Sequence, residues 1–225
     1  IQTAFIGDVI LATAVVEKLH QFYPESKIDF LLRKGNEGLL DNHPVINEVL
    51  IWEKKNKKYD NLKAISRSVK RTQYDVVVNL QRYASSGMIT AFSGAKEKLG
   101  FKKNPLSFSF TKRFLHKIGD GTHEVERNQQ LIAHITDKEA LKPKLYPSNK
   151  DYTNIEKYKE NDYVCIAPTS VWRTKELPKE QWVKLINKIN DQTNIYLLGG
   201  PVDVEKCEDL KQLSANKNVV NLSGS

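Results

Sequence analysis

Gly7-Asp8 is the first place in this chain where residue types and spacing could do chemistry. An apolar stretch, Ile1 to Ile6, runs through it directly into Val9-Ile-Leu-Ala-Thr13-Ala-Val-Val. Glycine permits a tight turn and close backbone approach at such a strand-to-helix junction. The helix that follows offers unpaired N–H groups there. Asp8 can cap that helix, which stabilises by ~1 kcal/mol, or it can accept a proton from a bound group. No GxGxxG surrounds Gly7, and Gly94-Ala-Lys96 is no phosphate-binding P-loop.

A second group lies in Ala167-Pro-Thr169-Ser170-Val-Trp172-Arg173-Thr-Lys175-Glu-Leu-Pro178. A hydroxyl-rich loop carrying Arg and Lys just before a helix has the makings of a diphosphate clamp. Ser170 can donate to phosphate oxygens, and Lys175 can neutralise charge growing on a leaving group. The plainer reading is a polar connection, with Trp172 and Trp182 as core or rim aromatics. The third group is Gly199-Gly200-Pro-Val-Asp203-Val-Glu205. Paired glycines at a strand end admit a ligand close to the backbone, and an acid on the next helix can bond ribose hydroxyls. Asp203 and Glu205 can equally serve as a cap or complement the helix dipole.

Metal chemistry finds no matching pattern. His123-Glu-Val-Glu-Arg127 departs from HExxH because arginine stands where the second histidine would be. Cys165 and Cys207 form no CxxC and are expected to be reduced, in a cytosolic setting.

The elements that must position these groups alternate. Ala12, Val15, Val16 and Leu19 give a helix with one buried stripe. Strands are expected at 27–32, 48–52, 74–80 and 97–101, with a short helix near 36–41 and a basic-faced helix through Leu62, Ile65 and Val69. Another helix begins near His123, and the polar stretch 137–162 reads as a connection between domains plus a short helix. A second α/β unit follows, with strands at 163–167 and 194–198, helices starting at Pro178 and around Cys207, and a further strand from Val219. The division expected is residues 1–150 and 151–225. Ile1 already lies in a strand-like segment, so the natural N-terminus is expected upstream.

Hydrophobic residues at 40% and charged residues at 28% are ordinary for a folded protein. No apolar run reaches the length of a membrane span. The net charge of +8 suits a nucleic acid, an anionic membrane face or a phosphorylated substrate. Aromatic residues are not interleaved with basic ones as in RNA-binding motifs, which disfavours nucleic acid.

Taken in order, Ile6–Thr13, Tyr74–Gln81 with Ser85-Ser86, Leu99–Phe101, His123–Asn128, Thr169–Pro178 and Leu198–Gly200 resemble glycosyltransferase family 9, the ADP-heptose:lipopolysaccharide heptosyltransferases. The resemblance implies a GT-B α/β fold, two Rossmann-like domains facing across a cleft, with the acceptor on the first and the nucleotide-sugar on the second. It implies inverting transfer of a heptose, or a related sugar, from a donor such as ADP-heptose to the lipopolysaccharide inner core. No cofactor is implied beyond that co-substrate, and no metal. Asp8 matches the family's general base; Gly7, Thr13, Arg82 and Arg127 fall on the acceptor side. Thr169, Ser170, Lys175, Gly199 and Gly200 fall at the donor, with Asp203 or Glu205 at its ribose. The setting implied is cytoplasmic, with peripheral contact at the inner membrane. The family's later Asp-x-Gly-x-x-His segment has no counterpart in the 225 residues, so a fragment of a longer protein is expected. The alternative reading is a non-catalytic or truncated α/β module that binds nucleotide or anionic glycan.

Overall fold

The structure, a computed structural model, describes residues 1–224. It divides into two compact units, Ile1–Ser148 and Asn149 onward. The first contains α1 (Ile6–Phe22), β1 (Ile28–Arg33), β2 (Ile46–Trp52), α2 (Lys58–Thr72), β3 (Val76–Asn79), α3 (Ala84–Ala91), β4 (Glu97–Phe101), β5 (Lys112–Phe114) and α4 (Glu124–Gln129). The second contains α5 (Asn149–Glu156), β6 (Tyr163–Ile166), α6 (Lys179–Ile186), β7 (Asn194–Leu197), α7 (Val204–Leu213) and β8 (Val219–Asn221).

Every strand pair is parallel: β1 with β2, then β3-β4-β5, then β6-β7-β8. The first two ladders are joined by the first residues of the chain. Gln2 N donates to Leu31 O (2.9 Å), Ile1 N to Val78 O (2.8 Å), and Leu80 N to Ile1 O (3.1 Å). Residues 1–2 therefore lie between β1 and β3, opposite Asn79 in parallel register. The lateral order becomes β2-β1-(1–2)-β3-β4-β5, the doubly wound order whose direction of winding reverses beside the first segment. In such sheets ligands bind at the carboxyl ends of the strands flanking that reversal. Here those ends run into Asp8 and Arg82.

Successive strand residues face opposite ways, and the burial follows. Phe30 and Leu32 join Val9, Ala12, Val16, Leu131 and Ile132 in one core. Leu31, with Leu50, Trp52, Leu62, Val69 and Ile89, belongs to another. Thus α1 and α4 cover one face of the sheet, α2 and α3 the other. In the second unit Ile166, Ile195, Leu197 and Val219 pack on Ile186, Cys207 and Leu210. Both cysteines are free, Cys207 buried and Cys165 exposed.

Several expectations need correction. Helix α1 is buried nearly all round, Lys18 included, rather than along a single stripe. Lys18 survives burial because its ammonium is paired with Asp137 (2.5 Å) and also bonds the Glu139 carbonyl. Residues 137–148 accordingly form a strap on the first unit rather than a loose connection. Leu141 exchanges two hydrogen bonds with Gln129, and Tyr146 OH donates to Glu17. Helix α3 and strand β5 were not anticipated; Pro178 is the N-cap of α6 rather than its first turn.

Candidate functional site

Asp8 sits at the third position of α1, half-buried, and its Oδ2 accepts from the N–H of the N-cap residue Phe5 (3.2 Å). It therefore does cap the helix, but with one oxygen; Oδ1 has no hydrogen-bond partner among the described residues. Gly7 lies inside the first helical turn, not in a strained bend, and a Cβ there would meet nothing within 4 Å. What the glycine supplies is open space beside the acid.

Three side chains from the carboxyl ends of neighbouring strands hold the backbone leading to Asp8. Lys54 Nζ donates to the Thr3 carbonyl (2.7 Å) and hydroxyl (2.9 Å) while lying over the Trp52 ring. Asn36 Nδ2 donates to Ala4 O (3.1 Å), and the Arg33 guanidinium stacks 4.7 Å from the Phe5 ring centroid. Burial, with the charges of Arg33 and Lys58 nearby, lowers the Lys54 amine to about 8.

Arg82 follows the adjacent strand β3 and is exposed. Its neighbours are fixed by one buried side chain: Asn104 Nδ2 donates to Gln81 O (3.1 Å) and Tyr83 O (3.0 Å). Gly87 makes this possible, because a Cβ on it would collide with the Asn104 amide. Below Arg82, His116 packs edge-on to Phe101, 4.6 Å between centroids. Burial lowers the His116 proton affinity; Glu124 opposes this, and Arg82, Arg127 and Lys103 reinforce it. The structure thus places Arg82, Lys103 and the Arg127–Glu124 pair around this imidazole, a setting of net positive charge.

Two acceptor-side expectations change meaning. Thr13 is fully buried; it donates to Ile10 O (2.8 Å) and accepts from Lys144 N (2.9 Å), tying α1 to the strap. No ligand can reach it. Arg127 is also buried, bonded to Glu124 and to the Thr122 carbonyl. Its charge is balanced by Glu124, and it holds its own loop in place.

In the second unit the hydroxyl loop is open. Lys175 is exposed and makes no ion pair among the described residues, and Trp172 is 60% exposed. Thr169 and Ser170 are half-buried; Ser170 Oγ accepts from Trp172 N (3.1 Å). Glu176 ties the loop together, accepting from Ser170 N (2.9 Å) and pairing with Lys206 of α7 (3.3 Å). The Ser170 N–H, then the Lys206 ammonium, hold its carboxyl below the usual range. Gly199 is required by packing, since a Cβ would lie 2.8 Å from Cβ of Asp203. Asp203 turns back to accept from Gly200 N (2.8 Å), whereas Glu205 is exposed.

Lys54, Asn104 and Glu176 escaped the sequence reading as functional supports. The one signal they carried was position: Lys54 and Asn104 lie within three residues of a strand's carboxyl end, and Glu176 lies in the loop that follows β6. Among the described residues no group of three or more His, Cys, Asp or Glu could hold a metal ion, and no helix is long and apolar enough to cross a membrane.

The family model described as glycosyltransferase family 9 (heptosyltransferase) matches residues 62–225. The lipopolysaccharide heptosyltransferase 1 of Campylobacter coli is 26% identical over 117 residues, 52% of this chain and 34% of that protein. The protein of the same description from Pseudomonas aeruginosa is 24% identical over 206 residues, 84% of this chain and 56% of its own length. The chain thus spans about a third to just over half of these curated relatives. Among solved structures, the Escherichia coli ADP-heptose lipopolysaccharide heptosyltransferase II superposes with a TM-score of 0.81 at 18% identity, covering 98% of this chain and 70% of that one. That likeness establishes the fold: parallel α/β units of the GT-B kind.

Proposed function

The chain belongs to glycosyltransferase family 9, and from that premise we propose that it serves an inverting transfer of heptose from ADP-heptose to the lipopolysaccharide inner core, at the cytoplasmic face of the inner membrane. The observation that carries this reading is Asp8: a half-buried carboxylate at the sheet's reversal point, with one oxygen anchoring the helix and the other unpartnered. A carboxylate so placed can take the proton of an acceptor hydroxyl as that oxygen attacks the anomeric carbon. The bond to the donor's diphosphate breaks on the opposite side, and ADP departs with inversion of the sugar.

On the acceptor side, Gly7 leaves room for the sugar, and the charge of Arg82 and Lys103 attracts its acidic groups, with Arg127 holding the loop behind them. On the donor side, Lys175 neutralises the departing diphosphate, and Thr169, Ser170, Gly199 and Gly200 line it. Glu205 suits the ribose hydroxyls better than Asp203, whose carboxylate is engaged by a backbone N–H. In this reading lysine supplies the charge compensation, with no resident cofactor.

The test is transfer from ADP-heptose to heptose-free lipopolysaccharide, with the anomeric configuration of the product read by NMR. Inverted product formed by the parent and lost in Asp8→Asn supports the proposal. Full activity in that variant removes Asp8 from the chemistry, and retained configuration refutes single displacement.

A further inference from the structure

Residues 55–73 hold five lysines and two arginines against one acid, Asp60, a net of +6 in a chain whose formal total is +8. All seven cations are exposed, and none enters an ion pair among the described residues. Some surface lysines elsewhere do find an acid, for example Lys96 with Asp75 and Lys206 with Glu176. Self-repulsion of this kind is retained where an anion neutralises it.

The cations do not stand alone. Tyr59, Lys63, Arg67 and Lys70 recur at helical spacing and form one stripe along α2. Beside it Met88 and Phe92, four residues apart at the end of α3, form an apolar stripe. Between the stripes runs an open groove of about 280 Å³, floored by Leu62. Tyr59 is 73% exposed, Phe92 60% and Met88 40%. Methionine and phenylalanine can bond neither a phosphate nor a base edge, so the groove is ill suited to a nucleic acid read by its polar groups. Apolar side chains level with a row of lysine and arginine match the boundary of a bilayer, where acyl chains meet headgroups. The long cationic side chains also reach outward while their stems cover apolar surface.

We propose that the α2–α3 face docks on an anionic phospholipid bilayer, with Lys63, Arg67 and Lys70 against headgroup phosphates and Tyr59, Met88 and Phe92 entering the interface. The proposal builds on the transferase reading, in which a lipid-anchored acceptor brings the protein to a bilayer. Its residues stand on α2 and at the end of α3, whereas Asp8 stands on α1 and Arg82 follows β3.

Sedimentation with vesicles of phosphatidylglycerol and phosphatidylcholine tests it without acceptor or donor. The protein is expected to bind mixed vesicles, release at high salt, and ignore phosphatidylcholine alone. Lys63→Gln/Arg67→Gln/Lys70→Gln should weaken binding about 100-fold, each neutralised cation being worth roughly a factor of five at the surface. Met88→Ser/Phe92→Ser should weaken it at least about tenfold through lost apolar burial. Circular dichroism confirms that each variant is folded. Binding unaffected by either set overturns the proposal. So does polyuridylate that competes fully with vesicles and binds the Met88→Ser/Phe92→Ser variant as tightly as the parent, which would make the face a nucleic-acid surface. Heptose transfer to a soluble, lipid-free acceptor separates the two readings. Its persistence in variants with vesicle binding lost supports both, and its absence in a parent that binds vesicles strikes the transferase reading alone.

Discussion

The backbone before α1 and the loop after β6 both carry proposed reacting groups, yet they are built in opposite ways. The first is held at three successive residues by Lys54, Asn36 and Arg33, and its neighbour around Arg82 is pinned by Asn104. The second is exposed over most of residues 171–177, with Glu176 as its main tie. A proton acceptor is useful only within a narrow distance of its hydroxyl, so its support must be rigid before substrate arrives. A cation that grips a diphosphate works over a longer range and can be ordered by its ligand.

If that contrast is right, the two loops should fail differently when altered. Asp8→Asn should lower kcat about 10²–10⁴-fold. Asparagine can still cap, so unfolding stability should stay within ~1 kcal/mol; a large stability loss would mean that the capping role dominates. Lys175→Ala should lower kcat/KM by about 10²-fold through the donor diphosphate, leaving the urea midpoint unchanged because the side chain is exposed. Asn104→Ala strips the buried Gln81 carbonyl of its donor and removes one of the bonds to Tyr83 O, and should cost about 1–3 kcal/mol in urea unfolding. Gly87→Ala should resemble it by displacing the same amide. Equal sensitivity to Glu176→Ala would erase the distinction between the loops.

The smallest effect concerns pH. His116 has a folded proton affinity lowered by burial, so the unfolded chain binds the extra proton as pH falls below about 6.5. Its contribution is complete above that value and is lost on acidification. His43, also lowered by burial although Glu17 opposes it, acts in the same sense. His116→Leu should flatten part of the decline in urea midpoint between neutral and mildly acidic pH; an unchanged slope would show that His116 is not the group responsible.

Local pattern made α1, β3, β4 and the strand–helix alternation of the second unit legible, because their apolar spacing records what each element buries. It concealed α3, where Ala84-Ser-Ser-Gly87 has no apolar stripe, and β5, whose three residues include Lys112 and Arg113. Asp8 could be singled out from Gly7-Asp8 before a helix, but not the division of its two oxygens between cap and open space. Thr13 and Arg127 carried suitable donors yet face inward, a matter settled by Lys144 and Glu124 rather than by their own neighbours in the stripe. The supports were hidden for the same reason: Lys54 meets Thr3 across 51 positions and Asn104 meets Gln81 across 23.

Lys54 has one more property worth exploiting. With its amine lowered to about 8, roughly half of these groups are unprotonated at that pH, while an ordinary lysine near 10.4 is almost wholly ammonium. The free base is the form that attacks acylating reagents, so brief treatment with an activated ester in mildly alkaline buffer should tag Lys54 ahead of the exposed lysines. Peptide mass mapping would read the site of modification, and slower tagging once acceptor is bound would turn this amine into a reporter of occupancy.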